Sequence, residues 1–483
     1  MGVRGLEGTL RERVDGEVRF DAGSRAAYAT DASNFRQTPI GVVVPRTPEA
    51  AAEAVAVARE HGAPVLSRGG GTSLAGQCVN TAVVIDWSKY CTRVESVDVA
   101  ARTCVVQPGV VLDGLNRRLA PAGLRFGPEP ATHMNCTVGG MIGNNSCGAT
   151  AQQTGKVVDN IARLEVLLYD GTRFWCGETG DEEYAEIERH GDLRATLYRR
   201  LRTLRETYAD EIRRRYPDIP RRVSGYNLDP LLPEHGFDVA GLLVGSESTL
   251  VTVLRVELDL VPVVAERTLV VLGFDGIEEA ADAVPGILPH EPMALEGVDE
   301  RLIHDERLKH LNPEAIAELP AGHAFLMVQF GGDTVEEADA RAHRMLAALH
   351  ESEHDPEVAF LDDPAHEAEL WQVREAGARR HRARTARARH LRGLGGLGGG
   401  ARPARRLSAT TAGPVRGVRL RERHWAQPLR PLRSGLRPHP YPVRPVHRRR
   451  CRHLPAVHGT GGRPGGGVRR LQLRGARRRA EPG

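Results

Sequence analysis

From Gly41 onward the chain alternates short apolar runs with amphipathic stretches. "GVVVP" is β-branched and uninterrupted, as a buried strand requires, and "PEAAAEAVAVAREHG" then repeats apolar residues at helical spacing. Thr47 stands at the N-cap of that helix, a proline opens its first turn and Gly62 closes it. "APVLSRGGG", "AVVIDWS" and "TCVVQPGV" read as further strands, and "VLDGLNRRLAPAG" as a further helix. "NIARLEVLLYDGTRFW" predicts a hairpin turning at Asp170-Gly171. A charged helix, "LRATLYRRLRTLRETYADEIRRRYP", interrupts the alternation, and "VAGLLVGSESTLVTVLRVELDLVP" returns to strand character. The pattern predicts a helical, turn-rich lead-in over 1–39 and a nucleotide-binding α/β or α+β domain over 40–265.

Beyond Val264, "TLVVLGFDGIEEAADAVPGIL" and "AFLMVQFGGDTVEEADARAHRML" echo one another. Each gives a strand, an acidic glycine-containing turn and an amphipathic helix. Two such units predict a ferredoxin-like second domain over 266–377, expected to be incomplete. Residues 378–483 show no period of either kind, so no core and a disordered tail are expected there.

Composition sharpens that boundary. Residues 378–483 hold 29 of the 66 Lys and Arg, every one an arginine, but only 2 of the 62 Asp and Glu. The formal charge of +4 therefore hides an acidic region, 1–377, of about −23. The seven cysteines include no CxxC and no paired spacing, which argues against a zinc ribbon, a disulfide scaffold or an iron–sulfur ligand set. No metal ligands are assigned. Scattered thiols suit a reducing compartment, and the N-terminus lacks an apolar signal region. No apolar run reaches membrane-spanning length. A cytoplasmic protein is expected, with peripheral membrane association left open.

Candidate chemistry lies in two glycine-rich stretches. In "PVLSRGGGTSLAGQ", three glycines after a strand let backbone N–H groups converge on an anion, with Thr72 and Ser73 as hydroxyl donors and Arg68 as a charge. The loop is neither a Walker loop nor a GxGxxG turn, and alone it serves structure as readily as binding. "FGPEPATHMNCTVGGMIGNNSCGATAQQTGKVVDNI" adds Gly139, Gly140, Gly143, Gly148 and Gly155 among amide and hydroxyl side chains. Such a segment suits a chain wrapped round a large polar ligand better than an ordinary surface loop.

"RGGGTSLAG", "QPGVVLDGLNRRL", "GPEPATHMNCTVGGMIGNNSCGA" and "VGSESTL", in this order, resemble the vanillyl-alcohol-oxidase (PCMH-type) FAD-binding domain. The resemblance covers about Tyr28 to Gly377 and is to the FAD-linked D-2-hydroxyacid dehydrogenases, of the D-lactate, D-2-hydroxyglutarate and glycolate kinds. Within these it points to the large proteins that fuse the flavoprotein to an iron–sulfur half. It implies an α+β fold, in which an FAD-binding domain of two α/β subdomains precedes a truncated ferredoxin-like substrate domain. It also implies that Arg68, Gly69, Gly70, Gly71, Thr72 and Ser73 hold the FAD pyrophosphate, with Gly76 in the same loop. Pro128, Thr132, Gly139, Gly140, Gly143, Asn144 and Gly148 would line the flavin and ribityl chain, and Gly155, Asp159 and Ile161 the adenosine end. Glu247 would lie on the cofactor side, although the family usually has glycine where this chain has Ser248. No His or Cys adjoins Gly69–Gly71, so the FAD is expected to be non-covalent. "LWQVREAG" resembles the segment whose arginine pairs with the substrate carboxylate, which nominates Arg374. The implied reaction takes a hydride from the Cα of a small 2-hydroxy acid and passes electrons to an iron–sulfur module absent from this chain.

After Arg374 the family's substrate-domain histidines are missing. Back-translated and read one base over, the tract from Ala378 can give L-G-A-T-A. Further on, the same shift can give W-E-D-S-A-V, H-F-G-Q-G-C-V-H and G-E-H-G-D-G, all family segments in family order. A frame change near Gly377 is therefore expected, with His381, His390, His424 and His447 given no role and catalysis impaired. Two rivals stand beside this reading. One is an arginine-rich tail that binds nucleic acid by charge alone, without specificity. The other is a different flavoenzyme of the superfamily, such as a sugar-alcohol oxidase or ether-lipid synthase.

Overall fold

Thr47 caps the helix Pro48–Glu60, its hydroxyl accepting the Ala50 N–H at 3.0 Å. The helix buries an alanine and valine face beside the strand Gly41–Pro45, in which every residue is buried. These and the following contacts come from a computed structural model, which describes residues 3–374 apart from 220, 353, 354, 362 and 364. The strand belongs to a four-stranded sheet in the order Gly16–Arg19, Gly41–Pro45, Val83–Asp86, Val65–Arg68. The last three run parallel and the first pairs antiparallel. The lead-in thus contributes a strand that its pattern hid: four residues, two of them charged, are too few to show a period.

Five antiparallel strands make the second sheet: Val94–Asp98, Thr103–Val106, Thr252–Asp259, Ile161–Leu167 and Arg173–Gly177. The expected hairpin is its edge, closed by the Leu168 N–H on the Thr172 carbonyl at 2.9 Å, with Gly171 at φ +102°. Thr252–Asp259 alternates buried and half-buried residues and lies at the centre. The run before it is not strand, as its pattern suggested, but a short helix, Val239–Leu243, buried throughout. Periodicity cannot separate a buried strand from a buried helical turn of that length. A shared core of Ala51, Val55, Ile85, Trp87, Leu167 and Leu254 joins the two sheets.

The third sheet has the order Ala294–Asp299, Ala324–Gly332, Glu266–Phe274, Glu357–Leu361, all antiparallel. The two sequence echoes are its strand–helix halves, and both helices, Ile277–Ile287 and Val335–His350, pack on one face. All four strands of a ferredoxin-like βαββαβ unit are present, so the incompleteness expected of this domain does not touch its sheet. The helices Glu300–Leu308 and Pro313–Ala317 and helical residues 365–374 cover the other face. The arginine-rich tract, with its expected disorder, lies outside the described residues. No helix among the described residues is long and apolar enough to cross a membrane.

Candidate cofactor and substrate site

The strand Val65–Arg68 ends in the triple-glycine loop, which lies directly on the second glycine-rich segment. A Cβ on Gly69 would come within 2.0 Å of Thr137 Oγ1, and one on Gly70 within 2.1 Å of the Asn135 carbonyl oxygen. Gly71 takes φ +64°. Seating the loop therefore already requires these glycines. Arg68 shapes the loop as well: it donates to the carbonyls of Cys78 and Thr30, both at 2.9 Å, and its guanidinium lies over the Tyr28 ring. Ser73 is buried and bonds Gln77, whose amide donates to Glu247 at 3.3 Å. Thr72 is half-buried, and Gly76, at φ +89°, passes close to the Phe35 ring.

Thr137 opens a short helix, Val138–Asn144, accepting the Gly140 N–H at 3.3 Å. Each of its three glycines costs about 1 kcal/mol relative to alanine. Packing accounts for Gly139, whose Cβ would fall 2.7 Å from Pro108. It does not account for Gly143, where a Cβ would meet nothing within 4 Å, nor for Gly140, which meets only Thr137 Oγ1 at 3.4 Å. Both line a narrow cleft together with Ser67, Arg68, Gly69, Asn144 and Glu247. Side chains at these positions would fill it. Two polar atoms of that wall, Ser67 Oγ and Asn144 Oδ1, are buried without a hydrogen-bond partner among the described residues, a state costing about 1–3 kcal/mol each. Open glycines and unsatisfied polar atoms fit a large polar cofactor.

Several parts of this wall carry no local sequence signal. Trp87, Pro108, Leu243 and Val253 reach it from four separate segments. Ser248 also lines it, at φ +64° beside Glu247 at φ +53°, and its hydroxyl accepts the Ser67 N–H at 3.2 Å. Cys78 stands in the same cleft, and burial pushes its thiol up.

A second, wider cleft of about 880 Å³ runs between the glycine-rich segment and the C-terminal domain. Glu129, His133 and Thr150 line one side, and Arg267, Gln329 and Trp371 the other. Pro128, Thr132 and Gly148 immediately flank the first side, and a Cβ on Gly148 would overlap the Glu129 carbonyl. Arg267 is half-buried and makes no ion pair among the described residues. Arg374 is placed differently from Arg267. Its Nε and Nη2 both donate to Glu296 Oε2, at 3.0 and 2.8 Å, and it is not part of the cleft wall. Gly155 turns at φ +69° against Asp159, which accepts the Lys156 N–H at 2.7 Å, and Ile161 begins its strand. Asp159 borders a separate small cavity with Asn145 and Asp238.

Residues 39–177 match the family described as FAD binding domain, and residues 264–392 the family of FAD linked oxidases, C-terminal domain. The chain belongs to the FAD-linked oxidases. Its cofactor is FAD, and the narrow cleft has the open glycines and unsatisfied polar groups to receive it. D-2-hydroxyglutarate dehydrogenase of Pseudomonas putida is 28% identical over 354 residues, which are 71% of this chain and 35% of that protein. The Escherichia coli protein of the same name is 27% identical over 72% of this chain and 35% of its own length. The chain thus spans about a third of the dehydrogenases it matches. Glycolate oxidase subunit GlcD of Escherichia coli is 24% identical, over 76% of this chain and 63% of that protein. A solved alkyldihydroxyacetonephosphate synthase shares the fold, with a TM-score of 0.52 at 15% identity over 77% of this chain and 64% of that one.

Proposed function

We propose that this FAD-linked oxidase domain pair oxidises a D-2-hydroxy acid, of the D-lactate, D-2-hydroxyglutarate or glycolate type, to its 2-oxo acid. The observation that supports this reading best is the wide cleft beside the cofactor segment, with the guanidinium of Arg267, which makes no ion pair among the described residues, in its wall. Bound FAD supplies a hydride acceptor there. Arg267 holds the substrate carboxylate, a task for a fork of N–H donors. Arg374 takes that role only by exchanging Glu296 for the substrate. Gly69, Gly140, Gly143, Asn144, Ser67 and Glu247 hold the cofactor non-covalently, because a thiol raised by burial leaves Cys78 a poor nucleophile toward the flavin. Electrons leave to an iron–sulfur module outside this chain, which has no ligand spacing of its own, and the setting is cytoplasmic.

The chain is read out of frame from about residue 378, where lysine and the acidic residues almost vanish. Because the C-terminal family match runs to residue 392, the nucleotide sequence from codon 377 to codon 392 locates the change. If the codons for 431–447 cannot encode H-F-G-Q-G-C-V-H one base over, this part is wrong.

The test of activity is anaerobic bleaching of the flavin by D-lactate, glycolate and D-2-hydroxyglutarate, in the 483-residue chain and in a frame-restored version. Bleaching is expected from a D-2-hydroxy acid or glycolate in the restored protein, and slowly or not at all in the chain as it stands. A restored protein that holds FAD but ignores all three acids would sink the proposal.

A further inference from the structure

The small cavity beside Asp159 has a volume of about 270 Å³ and shares no wall residue with the cofactor cleft among the described residues. Four separate segments enclose it. Asn145 follows the helix Val138–Asn144, and Lys156 and Asp159 precede the strand Ile161–Leu167. Arg222 and Asp229 belong to the connection after the helix Leu193–Arg215, and Asp238 stands ahead of the helix Val239–Leu243. The wall reaches solvent at Asp159 and His235, both exposed.

Most of its polar groups are engaged with one another. Asn145 Oδ1 accepts the Val158 N–H at 3.0 Å, Lys156 Nζ meets Asp159 at 3.2 Å, and Arg222 donates to Asp229 Oδ2. Three atoms are left over. Asn145 Nδ2, Asp229 Oδ1 and Asp238 Oδ1 are buried and have no hydrogen-bond partner among the described residues. Asn145 itself is only 1% exposed. Buried polar atoms are ordinarily paired, and three such atoms from separate segments meeting at one cavity call for an occupant.

The leftover atoms specify what that occupant carries. A carboxylate oxygen only accepts, so it must donate to Asp229 and Asp238, while a carboxamide nitrogen only donates, so it must also accept. Charge adds a third condition. Lys156 and Arg222 offset Asp159 and Asp229, and Asp238 makes no ion pair among the described residues, so with His235 neutral the wall is one negative charge in excess. Burial pushes the Asp238 carboxyl up, a cost that a bound cation relieves. A bare metal ion does not meet these conditions. No group of three His, Cys, Asp or Glu among the described residues is placed to hold one, and the Asn145 N–H presents a positive edge.

We propose that this cavity binds a small primary ammonium compound that also carries an oxygen acceptor, the chemistry shared by α-amino acids and amino alcohols. The ammonium group donates to Asp229 Oδ1 and Asp238 Oδ1, and the oxygen accepts from Asn145 Nδ2. The site does not depend on the oxidation proposed above.

Calorimetry on the FAD-loaded 483-residue chain at neutral pH tests this with L-alanine, ethanolamine and propionate, the last lacking an amine. Alanine or ethanolamine is expected to bind at a single site at millimolar concentration or below, and propionate not to compete. Binding of alanine alone identifies the amino acid, and binding of ethanolamine alone the amino alcohol. D238N should keep the flavin spectrum and weaken binding about tenfold or more, because a charged acceptor is lost. N145D keeps an oxygen for the Val158 N–H but replaces the free donor by an acceptor. It should weaken alanine more than ethanolamine, whose hydroxyl can donate instead, and it reports on the site without touching Asp238. Failure of both amines to bind the wild type overturns the proposal, as does unchanged affinity in D238N and N145D. Binding only to the FAD-free chain would assign the cavity to the cofactor and overturn it equally.

Discussion

Ser248 holds its place at a cost: a φ of +64° costs a non-glycine residue about 1–2 kcal/mol, strain that a glycine would avoid. Serine recovers part of this through the hydrogen bond from the Ser67 N–H, which contributes about 1 kcal/mol. S248A keeps the strain and loses the bond, so it should lower unfolding free energy in urea by about 1 kcal/mol. S248G trades bond and chain entropy against relief of strain and should stay within about 1 kcal/mol of wild type. Equal losses in the two variants would show that the backbone here is not strained.

At the scale of elements, Gly16–Arg19 was the strand hardest to read; it pairs along its length with Gly41–Pro45, and Glu17 adds side-chain contacts to it. Glu17 accepts hydrogen bonds from Lys89, Tyr90 and Arg19, and these hold its carboxyl down at about 2. A folded value below the ordinary 4.5 means that the carboxylate contributes stability above pH 4.5 and loses it as pH falls toward 2. The melting temperature should therefore fall across that window more steeply in wild type than in E17Q. Parallel curves would show that the contacts are too solvated to matter. Thr47 and the Asp170-Gly171 turn were legible because their signals are local, a cap three residues from its partner and a tight turn. Gly16–Arg19 and Val239–Leu243 were not, because only the neighbouring strands and core decide what such short runs become.

Across the whole molecule, the two sheets of the flavin domain are joined by charge as well as by apolar packing. Arg255 on the central strand reaches Glu95 and Glu165 at 2.8 Å within its sheet, and Glu49 at 3.0 Å on the helix Pro48–Glu60. Arg255 and Glu165 are mostly buried, with side chains 16% and 8% exposed. R255A should therefore destabilise the protein by about 3 kcal/mol, far more than a surface pair. A loss below about 1 kcal/mol in urea would place the network in solvent.

The sequence alone determined which stretches could be strands and helices, where the glycine loops fall and where the acidic region gives way to arginine. Each depends on spacing within a few residues or on composition, and the order of the four motifs carried the resemblance. The tertiary structure decided the rest. It set Gly69 and Gly70 against Asn135–Thr137, brought Trp87, Pro108 and Leu243 into one wall, engaged Arg374 with Glu296 and left Arg267 facing the wide cleft. It also paired Asp113 with His133 across twenty residues that show no common period. Such contacts join distant segments, and packing rather than periodicity determines which residues meet.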